Sequence, residues 1–471
     1  MNLESLRRQA WASVYDRIEP TAVAVAHAVQ QWRLTRERQR ARAGQIRIVS
    51  TACWDFPIYS QTFVYQEQTQ LIRQGFGVRF LYSKQNAKRN LPAQFSPLWR
   101  SRRRAVLHWR VAQRDYAYYH GKMPERVDAL IAMLANASGL APGDVLENYH
   151  VRQAFAFTRM VEAARPDYLH SYFFYEGSLF ALCASYLLGI PRGVSCYADH
   201  MLNDYAFKLV PLHLEQCAIV IATSARIKRE LQRIAPNADP SRILVKPNAI
   251  NAAAFPVTPR AEPSKGEPFR LVSLSRLEPK KGIHYLMDAV GILRTRGLNV
   301  ELHVLGAADD SAASRDYARR LETQVDELGL RGVVHLEGRQ TETEIKRFFA
   351  RAHVYIAPFV ETEHGDKDGI PTSLLEGMAT GLPVVVTDAG SMAEVVEHDR
   401  DGLMVPQRDP TSLANALDRL FQDPRERERL GRAGANRVRT EFDVSVCEGA
   451  FHERLRTLTA IAAPFTAGGQ Q

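Results

Sequence analysis

The chain has 471 residues, 45% apolar and 24% charged, a globular balance with more length than one core needs, so two or three domains are expected. The longest apolar run, Leu179 to Ile190, is far short of the ~20 residues that cross a bilayer, and Met1 to Arg8 lack a secretory apolar region, so a cytoplasmic address is expected. Five cysteines without a C-x-x-C pair argue against a disulfide framework and a zinc site, and a net charge of +9 points to acidic partners.

Residues 1–44 read as a basic, amphipathic N-terminal extension in which Arg33, Arg36, Arg38, Arg40 and Arg42 follow Trp32. A second cluster, Arg100, Arg102, Arg103 and Arg104, lies between Trp99 and Trp109. Cations attract anionic lipid and indoles settle at the headgroup level, so an anionic membrane surface is one reading of these clusters. A solvated charged face is the other. Nucleic acid is not indicated, since no RNP-like, zinc-finger or helix-turn-helix pattern accompanies the charge.

From Ile46 onward, short β-rich runs alternate with helical stretches, which predicts an α/β chain with parallel sheets. Strands are expected at 46–50, 78–82, 168–171, 193–196, 219–223 and 243–246, within a first domain over 45–255. Residues 85–150 break the rhythm and read as a helical insertion. The proline-rich stretch 256–268 reads as a linker. A second doubly wound domain follows over 269–441, with strands at 270–274, 300–305, 333–336, 354–358 and 384–387 and helices near 282–296, 314–328, 342–350, 372–380 and 411–421. The remaining 442–471 are expected to hold a last helix near 444–458 and a tail. Neither half contains G-x-G-x-x-G, so no dinucleotide cofactor is indicated.

Two segments carry chemistry. In Asp368-Gly-Ile-Pro-Thr-Ser-Leu-Leu-Glu376-Gly-Met-Ala-Thr-Gly381, Pro371 suits a first helical turn and Gly381 a helix end. The amino end of that helix offers free N–H groups and a positive dipole to a phosphate or a hydroxyl, with Asp368 and Glu376 framing it. In Ser275-Arg276-Leu-Glu-Pro-Lys-Lys281-Gly282, cations follow directly on an apolar strand. Arg276 and Lys281 suit the negative charge that develops on a departing nucleoside diphosphate, without a metal.

Together these segments resemble the family-4 retaining glycosyltransferases of the GT-B fold, which carry an acidic pair with seven residues between its members and an Arg and a Lys for the donor diphosphate. Asn248-Ala-Ile-Asn251 is similar to the family's Asn-Gly-Val-Asp turn. Phe56-Pro-Ile-Tyr-Ser-Gln-Thr-Phe-Val-Tyr-Gln-Glu67 resembles the Phe-Pro…Ser-Glu-Thr-Phe loop of the colanic-acid, exopolysaccharide and lipopolysaccharide branch. The resemblance implies two Rossmann-like domains facing a central cleft, which closes over a nucleoside diphosphate sugar that is substrate rather than cofactor. The last helix is implied to return to the N-terminal domain. Asp368 would hold donor-sugar hydroxyls, Gly369, Ile370, Pro371 and Thr372 the sugar and phosphate, and Glu376 the ribose. Gly306 would let the nucleoside approach, and Arg339 would lie near the base. Ser60 and Thr62 fall in the acceptor-side loop. Gly193-Val-Ser-Cys-Tyr-Ala-Asp-His200 matches a family Phe-Thr-Ala-His-Ala-x-Asp segment, with Tyr197 in place of the family's His, so Asp199 or His200 are candidates for its role.

The implied reaction is retaining, metal-independent transfer to a glycan or lipid-linked acceptor in cell-surface polysaccharide assembly, at the cytoplasmic face of the plasma membrane. Asp368 departs from the family's usual Glu by one methylene, ~1.5 Å of reach. With Tyr197, that departure keeps a non-catalytic donor-binding subunit open as an alternative; a GT-B nucleotide-sugar epimerase, which needs no second sugar acceptor, is another.

Overall fold

The computed structural model describes residues 20–51, 55–58, 61–85, 93–197, 200–309 and 311–462. The chain divides into two compact units, residues 1–222 with 228–244 and 450–471, and residues 223–227 with 245–449.

The first unit is built on seven strands: β1 (Arg47–Thr51), β2 (Gly77–Tyr82), β3 (Arg102–Arg104), β4 (Tyr168–Tyr172), β5 (Arg192–Cys196), β6 (Ile219–Ala222) and β7 (Ile243–Val245). Their order is β3-β2-β1-β4-β5-β6-β7. Neighbours run parallel, with Ile48 opposite Val78 on one side and Tyr168 on the other. Helices cover both faces, which is why β4, β5 and β6 are buried at every residue. All but β3 lie within about one residue of their expected positions. Three consecutive arginines do not read as a strand. They form one at the sheet edge, where charge discourages further pairing.

Five helices position this sheet: α1 (Pro20–Gln39), α2 (Thr62–Arg73), α3 (Trp109–Lys122), α4 (Tyr149–Ala164) and α5 (Glu176–Leu188). Asn148 starts α4 by accepting from the N–H groups of His150 (3.0 Å) and Val151 (3.3 Å). Phe155, Phe157 and Met160 of α4 then pack with Leu179, Phe180 and Leu182 of α5. Residues 1–44 were expected to be an extension, but α1 is part of this core. Val23 and Leu34 are buried in it, and His27 lies 3.0 Å from Asp115 of α3. The 85–150 segment is likewise mostly helical, yet it adds β3 to the sheet and Val111, Leu130 and Leu134 to the core.

The second unit has six parallel strands: β8 (Phe269–Leu274), β9 (Val300–Leu305), β10 (Val334–Gly338), β11 (Val354–Ala357), β12 (Val384–Thr387) and β13 (Leu403–Val405), in the order β10-β9-β8-β11-β12-β13. Helices α6 (Ile283–Thr295), α7 (Ala312–Glu327), α8 (Glu342–Arg351), α9 (Thr372–Ala379) and α10 (Pro410–Gln422) lie close to the expected spans. Thr341 and Glu344 close a reciprocal capping box at α8, and Asp409 caps α10 through Ser412 N–H at 2.9 Å. One face of the sheet packs Leu271 and Leu302 against Leu286 and Leu417; the other packs Val384 and Val386 against Leu374, Leu375 and Met378.

The expected helix at 444–458 is two pieces, Val444–Cys447 and α11 (Gly449–Ala462). In the first unit, Phe451 and Leu455 of α11 pack with Ile48, Phe76, Tyr168 and Ile219. Among the described residues, no helix is long and apolar enough to cross a membrane.

Candidate functional site

The carboxyl ends of β8, β9 and β10 converge in the second unit, where doubly wound sheets bind their ligands. After β8, the chain runs through Ser275 and Arg276 into a single 3-10 turn, Pro279–Lys281. Gly282 ends that turn at φ +60°, and a Cβ there would lie 1.9 Å from the Pro358 carbonyl oxygen. The glycine lets the turn seat on the segment after β11, where Val360 N–H donates to the Lys280 carbonyl at 2.8 Å.

That seating buries two ammonium groups. Lys281 Nζ donates to Asp368 Oδ2 at 2.6 Å and lies 4.1 Å from the centre of the Phe359 ring. Lys280 Nζ lies 3.0 Å from Asp366 Oδ2 and 3.9 Å from Asp368 Oδ1. Arg276, nearly half exposed, pairs with Glu278 and lies 3.7 Å from Asp309. Burial would raise the pKa of Asp368, but Lys281 and Lys280 outweigh it and hold the carboxyl below the usual aspartate range. Burial lowers the pKa of Lys281, and Asp368 opposes that shift.

The loop carrying Asp368 leads into α9. Pro371 is the N-cap rather than the first helical residue, and no side chain caps this end. The leading N–H groups are therefore available to an anion. Upstream, the Ile370 carbonyl accepts from Asn248 Nδ2 at 2.7 Å. Downstream, Ser373 accepts from the Tyr355 hydroxyl at 3.0 Å. Glu376 has a different charge environment from Asp368: burial, then Glu342, push its carboxyl up to about 8, with Lys346 opposing. Asp368 is thus the charged member of the pair at neutral pH, whereas burial favours the protonated form of Glu376.

Gly306 (φ +129°) ends β9, and its N–H donates to the Gly338 carbonyl at 2.8 Å. A Cβ on Gly306 would come within 1.8 Å of the Ser275 carbonyl oxygen, so this chain's own backbone accounts for the glycine. Arg339 follows Gly338 and is exposed. Gly306, Arg339 and the Arg276 loop are thereby brought to one end of the sheet. Sequence reasoning missed Lys280 and Asp366, since adjacent lysines ordinarily read as solvated. The Lys-Lys-Gly string was the available signal, because a glycine forced to positive φ marks a turn pressed against other backbone.

In the first unit, Thr62 is the first residue of α2. The Tyr197 ring is buried, its centroid 4.2 Å from Phe63, 5.4 Å from Phe173 and 6.3 Å from Tyr172. The Tyr172 hydroxyl donates to the buried Glu67 and accepts from Gln68. His200 is buried and pairs with Glu230 at 3.0 Å. Ser60 and Asp199 lie outside the described residues.

The basic turn, the acidic loop and the uncapped helix start all fall inside residues 255–437, the stretch that matches the family described as glycosyl transferases group 1. The chain is similar to the amylovoran biosynthesis glycosyltransferase AmsK of Erwinia amylovora, 26% identical over 86% of this chain and 98% of that protein. The putative colanic acid biosynthesis glycosyltransferase WcaL of Escherichia coli is 31% identical over 46% of this chain and 52% of that protein. Among solved structures, Anabaena HepE in complex with UDP-glucose aligns with a TM-score of 0.65 at 16% identity, covering 88% of this chain and all of that one. The sucrose-phosphate synthase of Thermosynechococcus elongatus aligns at 0.66 and 18%, with the same coverage. These likenesses show the GT-B fold.

Proposed function

We propose that this chain moves a sugar from a nucleoside diphosphate sugar to a glycan or lipid-linked glycan acceptor, with retention at the anomeric carbon and without a metal ion, in exopolysaccharide or lipopolysaccharide assembly. The observation that carries this reading is the pair of buried lysines, Lys280 and Lys281, set between the Arg276 loop and the Asp368 loop that leads into α9. As the bond from the anomeric carbon to the β-phosphate oxygen breaks, its electron pair leaves with the diphosphate. The three cations and the α9 dipole stabilise that charge. The acceptor hydroxyl oxygen bonds to the anomeric carbon, and its proton leaves on the departing diphosphate.

Asp368, charged, accepts hydrogen bonds from donor-sugar hydroxyls. Gly369, Ile370, Pro371 and Thr372 line the phosphate, and protonated Glu376 donates to the ribose. Gly306 and Arg339 border the base. Thr62, Tyr197 and His200 belong to the acceptor side, together with Ser60 and Asp199. The names of AmsK and WcaL support the polysaccharide setting, and the UDP-glucose bound to HepE makes that donor the first to assay.

The chain acts in the cytoplasm, at the inner face of the plasma membrane. Supporting this, α1 turns Val25, Val29 and Trp32 outward with Arg33 and Arg36, and Trp32 is more than half exposed. Arg33 and Arg36, beside exposed Trp32, support an anionic surface better than the second cluster, because Arg103 there is bound to Glu37.

The deciding experiment incubates purified protein with nucleoside diphosphate sugars and an acceptor extract, and reads the product's anomeric configuration by NMR. Lys281→Ala should lower transfer by about 100-fold or more, the scale of losing one preorganised transition-state donor. Full transfer by that variant, or an inverted product, would overturn the reading.

A further inference from the structure

A second basic site lies at the amino ends of two strands of the first unit's sheet. Arg47 opens β1 and Gly77 opens β2, and the hollow they border, about 260 Å³ in volume, is lined by Arg38, Arg40, Arg42, Arg47 and Arg79 with Glu37. Its floor is apolar, Ile48 and Val49 being buried. Two of the five guanidiniums are already matched. Arg47 Nη2 lies 2.8 Å from Asp167 Oδ1, and Arg79 Nε lies 2.6 Å from Glu37 Oε2. Glu37 is shared with Arg103 (2.8 Å), so the carboxylate is outnumbered even there. Among the described residues, Arg38, Arg40 and Arg42 have no carboxylate partner.

An ordinary reading exists for part of this pattern. Cations at a helix C-terminus are favoured by the backbone dipole, and Arg38 lies in the last turn of α1. That accounts for one arginine rather than for five converging on one hollow. Burial and the like charges of Arg165 and Arg47 also push the Arg38 pKa down, which identifies a cation lacking compensation. The volume is several times the ~30 Å³ share of a water molecule, enough for a phosphoryl group.

We propose that this arginine hollow, at the amino ends of β1 and β2, is a binding site for a phosphate monoester or pyrophosphate group, separate from the donor site. Arg38 and Arg42 supply charge-assisted hydrogen bonds, and Arg47 and Arg79, fixed by their carboxylates, form its rigid wall. A free phosphate or a lipid headgroup presents the same chemistry, and the test separates them.

Inorganic phosphate is titrated into the full chain at constant ionic strength, following thermal stabilisation, and the chain is co-sedimented with phosphatidylcholine vesicles containing phosphatidic acid. Arg42→Gln changes an exposed side chain beyond α1 and tests the site without touching the core. Arg38→Gln/Arg42→Gln extends the test. Each lost guanidinium should weaken binding about tenfold, the worth of one hydrogen bond to a charged group. Glycosyl transfer at saturating donor should stay unchanged. Weaker phosphate stabilisation with unaltered sedimentation identifies a free phosphate; reduced sedimentation identifies the headgroup. Equal phosphate affinity and equal sedimentation for wild type and both variants would overturn the proposal.

Discussion

Lys281 and Asp368 compensate each other in a place where neither charge would be tolerated alone. Asp368→Asn would leave the buried ammonium groups with one carboxylate fewer, and breaking a buried pair costs about 3 kcal/mol. The pKa of Asp368 is lower in the fold than in the unfolded chain, so its contribution is complete above the unfolded value and disappears as the pH falls through the folded one. Denaturant titrations should therefore show a gap between wild type and Asp368→Asn that is constant near neutrality and narrows only below about pH 4. Glu376 has the opposite sign. Its carboxyl is raised to about 8, so the folded state binds a proton that the unfolded state has lost between about 4.5 and 8, and stability declines as the pH rises through that window. Glu376→Gln should remove this decline and raise the Tm at pH 9 by about 2 °C or more relative to wild type, measured by calorimetry. At this scale the motif named Arg276, Lys281, Asp368 and Glu376 from spacing alone. It could not assign protonation, because that depends on which helix faces each carboxyl, and Lys346 and Glu342 stand far from Glu376 in sequence.

Loops acquire their positions from elements they touch rather than from their own sequences. The Asp368 loop rests on Gly390 (φ +60°), where a methyl group would meet the Asp368 carbonyl oxygen at 2.3 Å. Gly390→Ala should displace the loop and lower kcat/KM on the order of 100-fold, the penalty of a ~1 Å misplacement, while the far-UV circular dichroism stays native. Strands and helices of the second unit were legible because long apolar runs alternate with amphipathic ones. Exceptions have a common cause. Arg102–Arg104 and Leu403–Val405 are only three residues long and take their strand character from a neighbour, the former from Phe80–Tyr82 and the latter from Val385–Thr387. The 444–458 region reads as one helix by composition, yet it breaks after Cys447, one residue before Gly449. Local pattern carries little information about such breaks.

Across the whole molecule, the basic amino-terminal region is both a surface and part of the core. Leu34, 1% exposed, lies in the cluster that includes α4 and α5, so Leu34→Ala should cost about 2–5 kcal/mol and lower the cooperative Tm. Deleting residues 1–44 would remove that packing too, which makes Trp32→Ala the cleaner probe of vesicle association: sedimentation should fall while the Tm stays unchanged. Charge alone does not separate these roles, because the buried stripe of α1 becomes visible only when its neighbours are known. The return of α11 to the first unit has a consequence for synthesis. Phe451 and Leu455 complete the apolar cluster around Ile48 and Tyr168, so the first strand waits for nearly the last helix before its surroundings are closed. The middle of the polypeptide holds all its own strands and can mature on the ribosome earlier, although it is translated later than β1. A chain truncated before Gly449 would thus keep every strand of the second unit while leaving the first unit's apolar cluster without Phe451 and Leu455, an exposed surface of the kind that makes incomplete chains prone to aggregate.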